Sequence, residues 1–290
     1  MTSGERVILI TGITGKQGGA AARELAGKGF RLRGLTRKPG SDAAKALAKL
    51  GVQVIEGDLD SESSLTRALD GAWGVFAVQD SWEAGVEREE EQGKRLARLA
   101  RQEEVQHFVY SSVGSADRAT GIPHFDNKWR VEETIRSLEF PSYTIIRPVF
   151  FMENLLTPWF LNGDKLVTAL DPRTSLQMIA VEDIGKYHAR AFTHAAEMNG
   201  TALDIAGDAL TMPAAAEALS RALGRGIDYL RIPIEEVRKN SEDFALMLEW
   251  FDRSGYNAGI EANARKYGIR PTKLEAWARK QVAAEAPPPR

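Results

Sequence analysis

Short apolar runs and amphipathic stretches alternate along the first half of the chain. Residues 7–11, 30–36, 52–56, 74–78, 107–111 and 143–146 are rich in Val, Ile, Leu and Phe and predict strands. Between them, 19–28, 43–50, 61–69, 86–102 and 128–138 repeat apolar residues at helical spacing. Six strands separated by helices imply βαβ units, and so a parallel sheet covered on both faces. The fold expected is α/β: a doubly wound, parallel-sheet Rossmann fold with a smaller mixed α/β C-terminal region.

After Pro148 the pattern loosens. Strands are predicted at 178–181, 203–206 and 227–232, and helices at 181–197, 212–223 and 242–250. The expected division is a core of residues 1–150 and a capping region of 151–290, part of which (about 178–206) returns to the core sheet. Such a region would sit over the C-terminal edge of the sheet, where open α/β sheets bind ligands. The tail 283–290 holds three prolines and is expected to fray.

Composition narrows the function classes. The 290 residues carry 38 basic and 40 acidic side chains, a net charge of −2, which offers no global field for nucleic acid or an anionic membrane. There is no cysteine, so disulfides, thiolate metal sites and a cysteine nucleophile are excluded. The polar residues 1–6 lead into an apolar run too short for a signal h-region or a membrane span. A cytoplasmic location is the expectation. The four histidines, 107, 124, 188 and 194, show no metal-ligand spacing. Four acids within 87–91 read as a solvated face at a helix start. The helix 86–102 offers a face for pairing in a homodimer.

Thr11-Gly12-Ile13-Thr14-Gly15-Lys16-Gln17-Gly18 follows the first strand and opens the first helix. Glycines so spaced permit a tight turn, close approach of backbone to a pyrophosphate, and close packing of helix on strand. The alternative is a glycine-rich turn with no ligand. Lys16 is within reach of a phosphate. The second strand ends in Thr36-Arg37-Lys38, where an NAD-binding chain usually carries a carboxylate for the ribose 2′-OH. Arg37 suits a 2′-phosphate and Lys38 adds charge, so NADP(H) is the expected cofactor; a solvated basic turn is the plainer reading. Asp58-Leu59 follows the third strand and either contacts adenine or caps the next helix.

These residues resemble a family. The glycine loop, Thr36-Arg37 and Gly57-Asp58-Leu59 are similar to atypical short-chain dehydrogenases/reductases. Tyr110-Ser111-Ser112-Val113, His124-Phe125-Asp126-Asn127-Lys128 with Glu132, and Ile146 through Asn154 resemble the NmrA-like group in particular. The likeness covers residues 5 to about 210. It implies an NADP(H)-binding core in a family that holds both redox-responsive regulators and reductases of quinones, isoflavones, benzylic ethers and triarylmethane dyes. It also implies that Val78, Gln79, Pro148, Val149 and Phe151 lie along the cofactor, with Ser111 and Ser112 near its nicotinamide or a substrate oxygen. Phe150, Phe151 and Met152 either wall a substrate site or pack a core. Trp82, Trp129 and Trp159 are candidate cleft aromatics.

The chain departs from the superfamily at its catalytic signature. Where other members carry Tyr-X-X-X-Lys, this chain reads His124-X-X-X-Lys128. Lys128 keeps the ribose-binding role that the resemblance implies. His124 is either a substitute proton donor or a structural residue. Two functions stay open: an NADPH-dependent reductase of a small apolar acceptor (a quinone or enone), or a non-catalytic NADP(H) sensor that acts through a protein partner. Direct nucleic-acid binding has little support.

Overall fold

The computed structural model describes residues 6–285. The polar N-terminal residues 1–5 and the prolines of the tail lie outside that range. In chain order the first elements are β1 (Arg6–Ile10), α1 (Lys16–Leu25), β2 (Phe30–Thr36), α2 (Asp42–Lys49), β3 (Gln53–Glu56), α3 (Glu62–Leu69), β4 (Gly74–Ala77) and the short α4 (Ser81–Ala84). Then come α5 (Val86–Gln102), β5 (His107–Ser111), α6 (Pro123–Ser137) and β6 (Tyr143–Pro148). The later elements are β7 (Phe150–Phe151), β8 (Leu161–Asn162), β9 (Lys165–Thr168), β10 (Ser175–Ile179), α7 (Val181–Thr193), α8 (Ala195–Met198), β11 (Thr201–Ile205) and β12 (Asp208–Thr211). They close with α9 (Met212–Leu223), β13 (Asp228–Arg231), α10 (Ile234–Arg238), α11 (Glu242–Arg253), α12 (Ile260–Tyr267) and α13 (Leu274–Glu285).

The main sheet has seven strands in the order β11-β6-β5-β4-β1-β2-β3. Every pairing from β6 to β3 is parallel. The chain runs outward from β1 to β3, then returns to place β4 on the other side of β1. That reversal is the topological switch point of an open α/β sheet, and it opens a crevice at the C-terminal ends of β1 and β4.

Burial on both faces explains the apolar runs. On one face Leu9, Val75, Ala77, Phe108, Tyr110 and Ile145 pack against Leu65 and Leu69 of α3, Leu96 and Ala97 of α5, and Val131 and Ile135 of α6. On the other face, α7 lies so close to α1 that a Cβ on Gly185 would come within 2.8 Å of the Ala20 carbonyl. His188 of α7 meets Phe76 of β4 edge-on at 4.7 Å.

Hydroxyls start several helices. Ser41 accepts from Ala44 N at 3.3 Å and Ser61 from Ser64 N at 3.3 Å. The cap of α3 is therefore Ser61, which removes the capping role considered for Asp58. Helix α6 begins five residues before the 128–138 stretch, so His124 and Lys128 share its first turns. The helix expected over 181–197 breaks at His194, which caps the separate α8. Residues 283–285, expected to fray, are the last turn of α13.

The chain forms two compact units. The first takes residues up to 119, 123–147 and 184–203, and the second 120–122, 148–183 and the remainder from 204. Within the second unit are two three-stranded sheets, β12-β10-β7 and β13-β9-β8. Phe150 packs edge-on to Phe160 at 5.3 Å and to Phe251 at 6.5 Å. Glu153 accepts from Val181 N at 2.9 Å and from Trp277 Nε1 at 3.1 Å.

Candidate functional site

The crevice between β1 and β4 is built around Thr11. Its N–H donates to Phe76 O at 3.0 Å, and its hydroxyl both donates to Val78 O and accepts from Val78 N at 3.0 Å. Thr11 thus ties the two strand ends together and is fully buried. Gly12 then turns the chain in the left-handed region, φ +56°, hard against Val78. A Cβ at Gly18 would lie 2.3 Å from Gly12 O, so only glycine lets α1 start this close to the loop. Gly15 caps α1 with no side-chain acceptor, which leaves first-turn N–H groups for an anion. Thr14 and Lys16 are exposed there and Gln17 is half-buried. The loop has the shape and the free donors that a dinucleotide pyrophosphate requires.

At the end of β2, Thr36 is nearly buried and its Oγ1 accepts from Lys38 N at 3.2 Å. Arg37 and Lys38 are exposed. The Arg37 guanidinium donates to Glu83 of α4, and that carboxylate raises the Arg37 pKa above its ordinary value. Asp58 closes a local turn: its Oδ1 accepts from Asp60 N and its N–H donates to Ser64 Oγ, both at 3.0 Å. Leu59 packs against the sheet core. The end of β2 thus presents an arginine and a lysine and no carboxylate of its own, a donor set suited to a phosphate on the adenosine ribose.

Toward β5 and α6 the polar side chains are buried and paired. Ser111 Oγ donates to Gln17 Oε1 at 2.6 Å, linking β5 to α1. Ser112 Oγ donates to Glu132 at 2.6 Å. Glu132 is fully buried and also accepts from Arg147 Nε at 2.8 Å, Arg147 Nη2 at 2.7 Å and Arg136 at 2.9 Å. Burial lowers the Arg147 pKa, and Glu132 and Asp117 more than reverse that. Trp129 lies under the guanidiniums of Arg136 and Arg147, at 4.9 and 5.7 Å. Its ring therefore serves these arginines.

Lys128 is almost buried, and its Nζ donates to Glu89 Oε1 of α5 at 2.6 Å. Asn127 Nδ2 donates to the other oxygen, Oε2, at 2.7 Å and to Val86 O at 2.8 Å. One turn earlier, His124 packs against Trp82 at 5.5 Å and Phe125 at 4.8 Å. Trp82 itself is 66% exposed. The acidic run 87–91 is therefore not a solvated face throughout. Glu89 is 1% exposed and holds Lys128, and Glu90 pairs with Lys94 and Arg130. The signal was present in the helix period, because Glu89, Gly93, Leu96, Ala97 and Ala100 form one buried stripe. Glu83 carries no comparable signal.

Val78 and Gln79 continue β4 into the crevice and are buried. Neither polar atom of the Gln79 side chain has a hydrogen-bond partner. Its Oε1 lies over Gly93, where a Cβ would come within 3.1 Å. Tyr110 is wholly buried, and burial raises its phenol pKa. Pro148, Val149 and Phe151 belong to the second unit. Val149 is buried and donates to Ile205 O at 3.2 Å, and Phe151 pairs with Ile179 across β7 and β10. Phe150 and Met152 are core residues of that unit, and Trp159 is 80% exposed.

The NmrA-like family model matches residues 4–278, nearly the whole chain. The chain belongs to the NmrA-like family. An NmrA-like family domain-containing protein of Dictyostelium discoideum is 29% identical over 266 residues, 86% of this chain and 88% of that one. The (4-alkanoyl-5-oxo-2,5-dihydrofuran-3-yl)methyl phosphate reductase of Streptomyces griseus is 27% identical over 304 residues, 97% of this chain and all of its own length. Fungal NmrA-like family domain-containing oxidoreductases are matched over only 48–54% of their length. The fold is shared with NmrA, a negative transcriptional regulator solved with NADP (TM-score 0.79, 22% identity, 97% of this chain and 98% of that one). It is shared equally with an NADPH-dependent quinone oxidoreductase of Escherichia coli solved with NADPH (TM-score 0.78, 23% identity, 95% and 99%).

Proposed function

We propose that this chain binds NADP(H) and is an NADPH-dependent reductase of a small apolar acceptor, a quinone or enone. The observation that carries the cofactor reading is the switch-point loop Gly12–Gly18, closed to any side chain at Gly18, with Arg37 at the end of the neighbouring strand. The pyrophosphate would rest on the N–H groups at the start of α1, and the 2′-phosphate on Arg37 and Lys38. Thr36, Asp58 and Leu59 would border the adenosine, and Val78 and Gln79 the middle of the dinucleotide. When bound, NADPH supplies a hydride.

The chain's own part is positioning and proton supply. Lys128 would hold the nicotinamide ribose. Ser111, fixed by Gln17, would orient a polar group beside the ring. Ser112 is already committed to Glu132 and would act on the shape of the site through it. His124 or a water would deliver the proton, a modest demand for a quinone. Relatives called reductase and oxidoreductase support this reading.

One observation favours the second reading, a sensor of the NADPH/NADP state that acts through a protein partner. The tyrosine position holds His124, packed between two aromatic rings. The deciding experiment follows NADPH absorbance against a panel of quinones, enones and triarylmethane dyes. Turnover that falls in Lys128→Ala and His124→Ala supports the reductase. Tight NADPH binding with no turnover across the panel supports the sensor.

A further inference from the structure

The Lys128 side chain is almost buried, and its ammonium is held by a carboxylate that comes from a different helix. Glu89 Oε1 takes Lys128 Nζ at 2.6 Å, Oε2 takes Asn127 Nδ2 at 2.7 Å, and Asn127 is anchored in turn to Val86 O at 2.8 Å. Glu89 is 1% exposed, so both of its oxygens are used inside the protein. A carboxylate is moved out of water only at considerable cost unless it is paired and hydrogen-bonded, and the partner here is the residue that the cofactor reading assigns to the ribose. Glu89 is the one buried residue in the first turn of α5, and the buried stripe continues through Gln92, Gly93, Leu96 and Ala97.

We propose that Glu89 is a positioning residue: it holds the Lys128 ammonium in place for the nicotinamide ribose, with Asn127 locking the orientation of the carboxylate. This rests on the NADP(H) reading above. Lys128 has three N–H donors and gives one to Glu89, which leaves two for ribose hydroxyls. Without Glu89 the four-carbon stem would be free to sample other rotamers, and the ribose would have to order it on binding. The effect is confined to the nicotinamide half of the dinucleotide, because the adenosine half is held by the loop at Gly12–Gly18 and by Arg37 on other elements.

That confinement supplies the test. Calorimetry is run with NADPH and with adenosine 2′,5′-bisphosphate, which lacks the nicotinamide half, on the intact chain and on Glu89→Gln, Lys128→Met and the double variant. Lys128→Met is expected to weaken NADPH roughly 10- to 100-fold, the worth of a hydrogen bond to a charged group, and Glu89→Gln about tenfold. The double variant should be no weaker than Lys128→Met alone, and the bisphosphate should bind all four proteins equally. Thermal melts without nucleotide read the pair itself: Lys128→Met strands a buried carboxylate and lowers the melting temperature, and adding Glu89→Gln restores part of it.

Wild-type NADPH affinity in Glu89→Gln overturns the proposal. So does additive weakening in the double variant, or equal weakening of the bisphosphate, which would make Glu89 merely structural. If the intact chain binds neither nucleotide, the NADP(H) reading itself has failed, and additive melting temperatures would then also refute the pairing on which Glu89 acts.

Discussion

Replacing Gly18 by alanine attacks the loop where it has no room. The new Cβ would stand 2.3 Å from Gly12 O, 2.7 Å from Gly12 C and 2.9 Å from Thr11 O. All three are backbone atoms, and Thr11 is pinned to β4 by its own hydrogen bonds. No flexible side chain can move aside, so α1 must retreat from the loop by about 1 Å to reach ordinary van der Waals separation. Overpacking of this kind costs roughly 1–3 kcal/mol, which corresponds to a fall of roughly 2–12 °C in melting temperature. The same shift drags the first-turn N–H groups off the phosphates, and a misplacement near 1 Å costs on the order of 100-fold where geometry is demanding. Calorimetry with NADPH and a melt of the free protein measure the two effects separately. Gly226→Ala is the control, because a Cβ there meets nothing within 4 Å. Wild-type NADPH affinity in Gly18→Ala would refute the argument that the glycine exists to let the helix start touch the cofactor.

Two further outcomes concern the buried polar groups. Glu132→Ala removes the acceptor shared by Ser112, Arg136 and Arg147, leaves the buried Arg147 guanidinium with the Asp117 carboxylate but without Glu132, and should cost roughly 3 kcal/mol; a urea midpoint within error of wild type would contradict it. His107 and His188 are held neutral by burial, with pKa values lowered to about 4 from the ordinary 6.5. Their folded values lie below their unfolded ones, so the stability they contribute is complete above pH 6.5 and is lost as pH falls toward 4. The loss approaches about 3 kcal/mol for each. Urea titrations across that window should show the decline, with a shallower slope in His188→Gln; an unchanged slope in that variant would remove His188 as a source.

The core strands of the first unit were readable because both faces of the sheet are covered. Ile8, Leu9 and Ile10, or Val75 and Phe76, cannot be anything but interior when they are bounded by turn residues. The glycine loop was readable for a related reason, since its geometry forbids side chains. The two-residue strands β7 and β8 were not readable, because an element so short has no period. Helix α10 buries none of its residues fully and α12 buries only Asn263 and Tyr267, so neither carries an apolar stripe. At the site, residue types on the loop and at Arg37 pointed to the cofactor, but pairings between distant segments did not show. Glu89 looked like one of several solvated acids, and only the stripe it shares with Gly93 and Leu96 placed it inside. Ser112 looked available until Glu132 was found against it. The pairing of Arg37 with Glu83 joins residues 46 apart in sequence, and no local pattern announces it.

The most direct test is calorimetric titration of the intact chain and of Arg37→Ala with NADPH and with NADH. The intact chain is expected to prefer NADPH by roughly 10- to 100-fold, the worth of charge-assisted hydrogen bonds to the 2′-phosphate, and Arg37→Ala to lose most of that preference, Lys38 remaining, while keeping its NADH affinity. Equal affinity of the intact chain for both nucleotides, or equal weakening of both in Arg37→Ala, would contradict it.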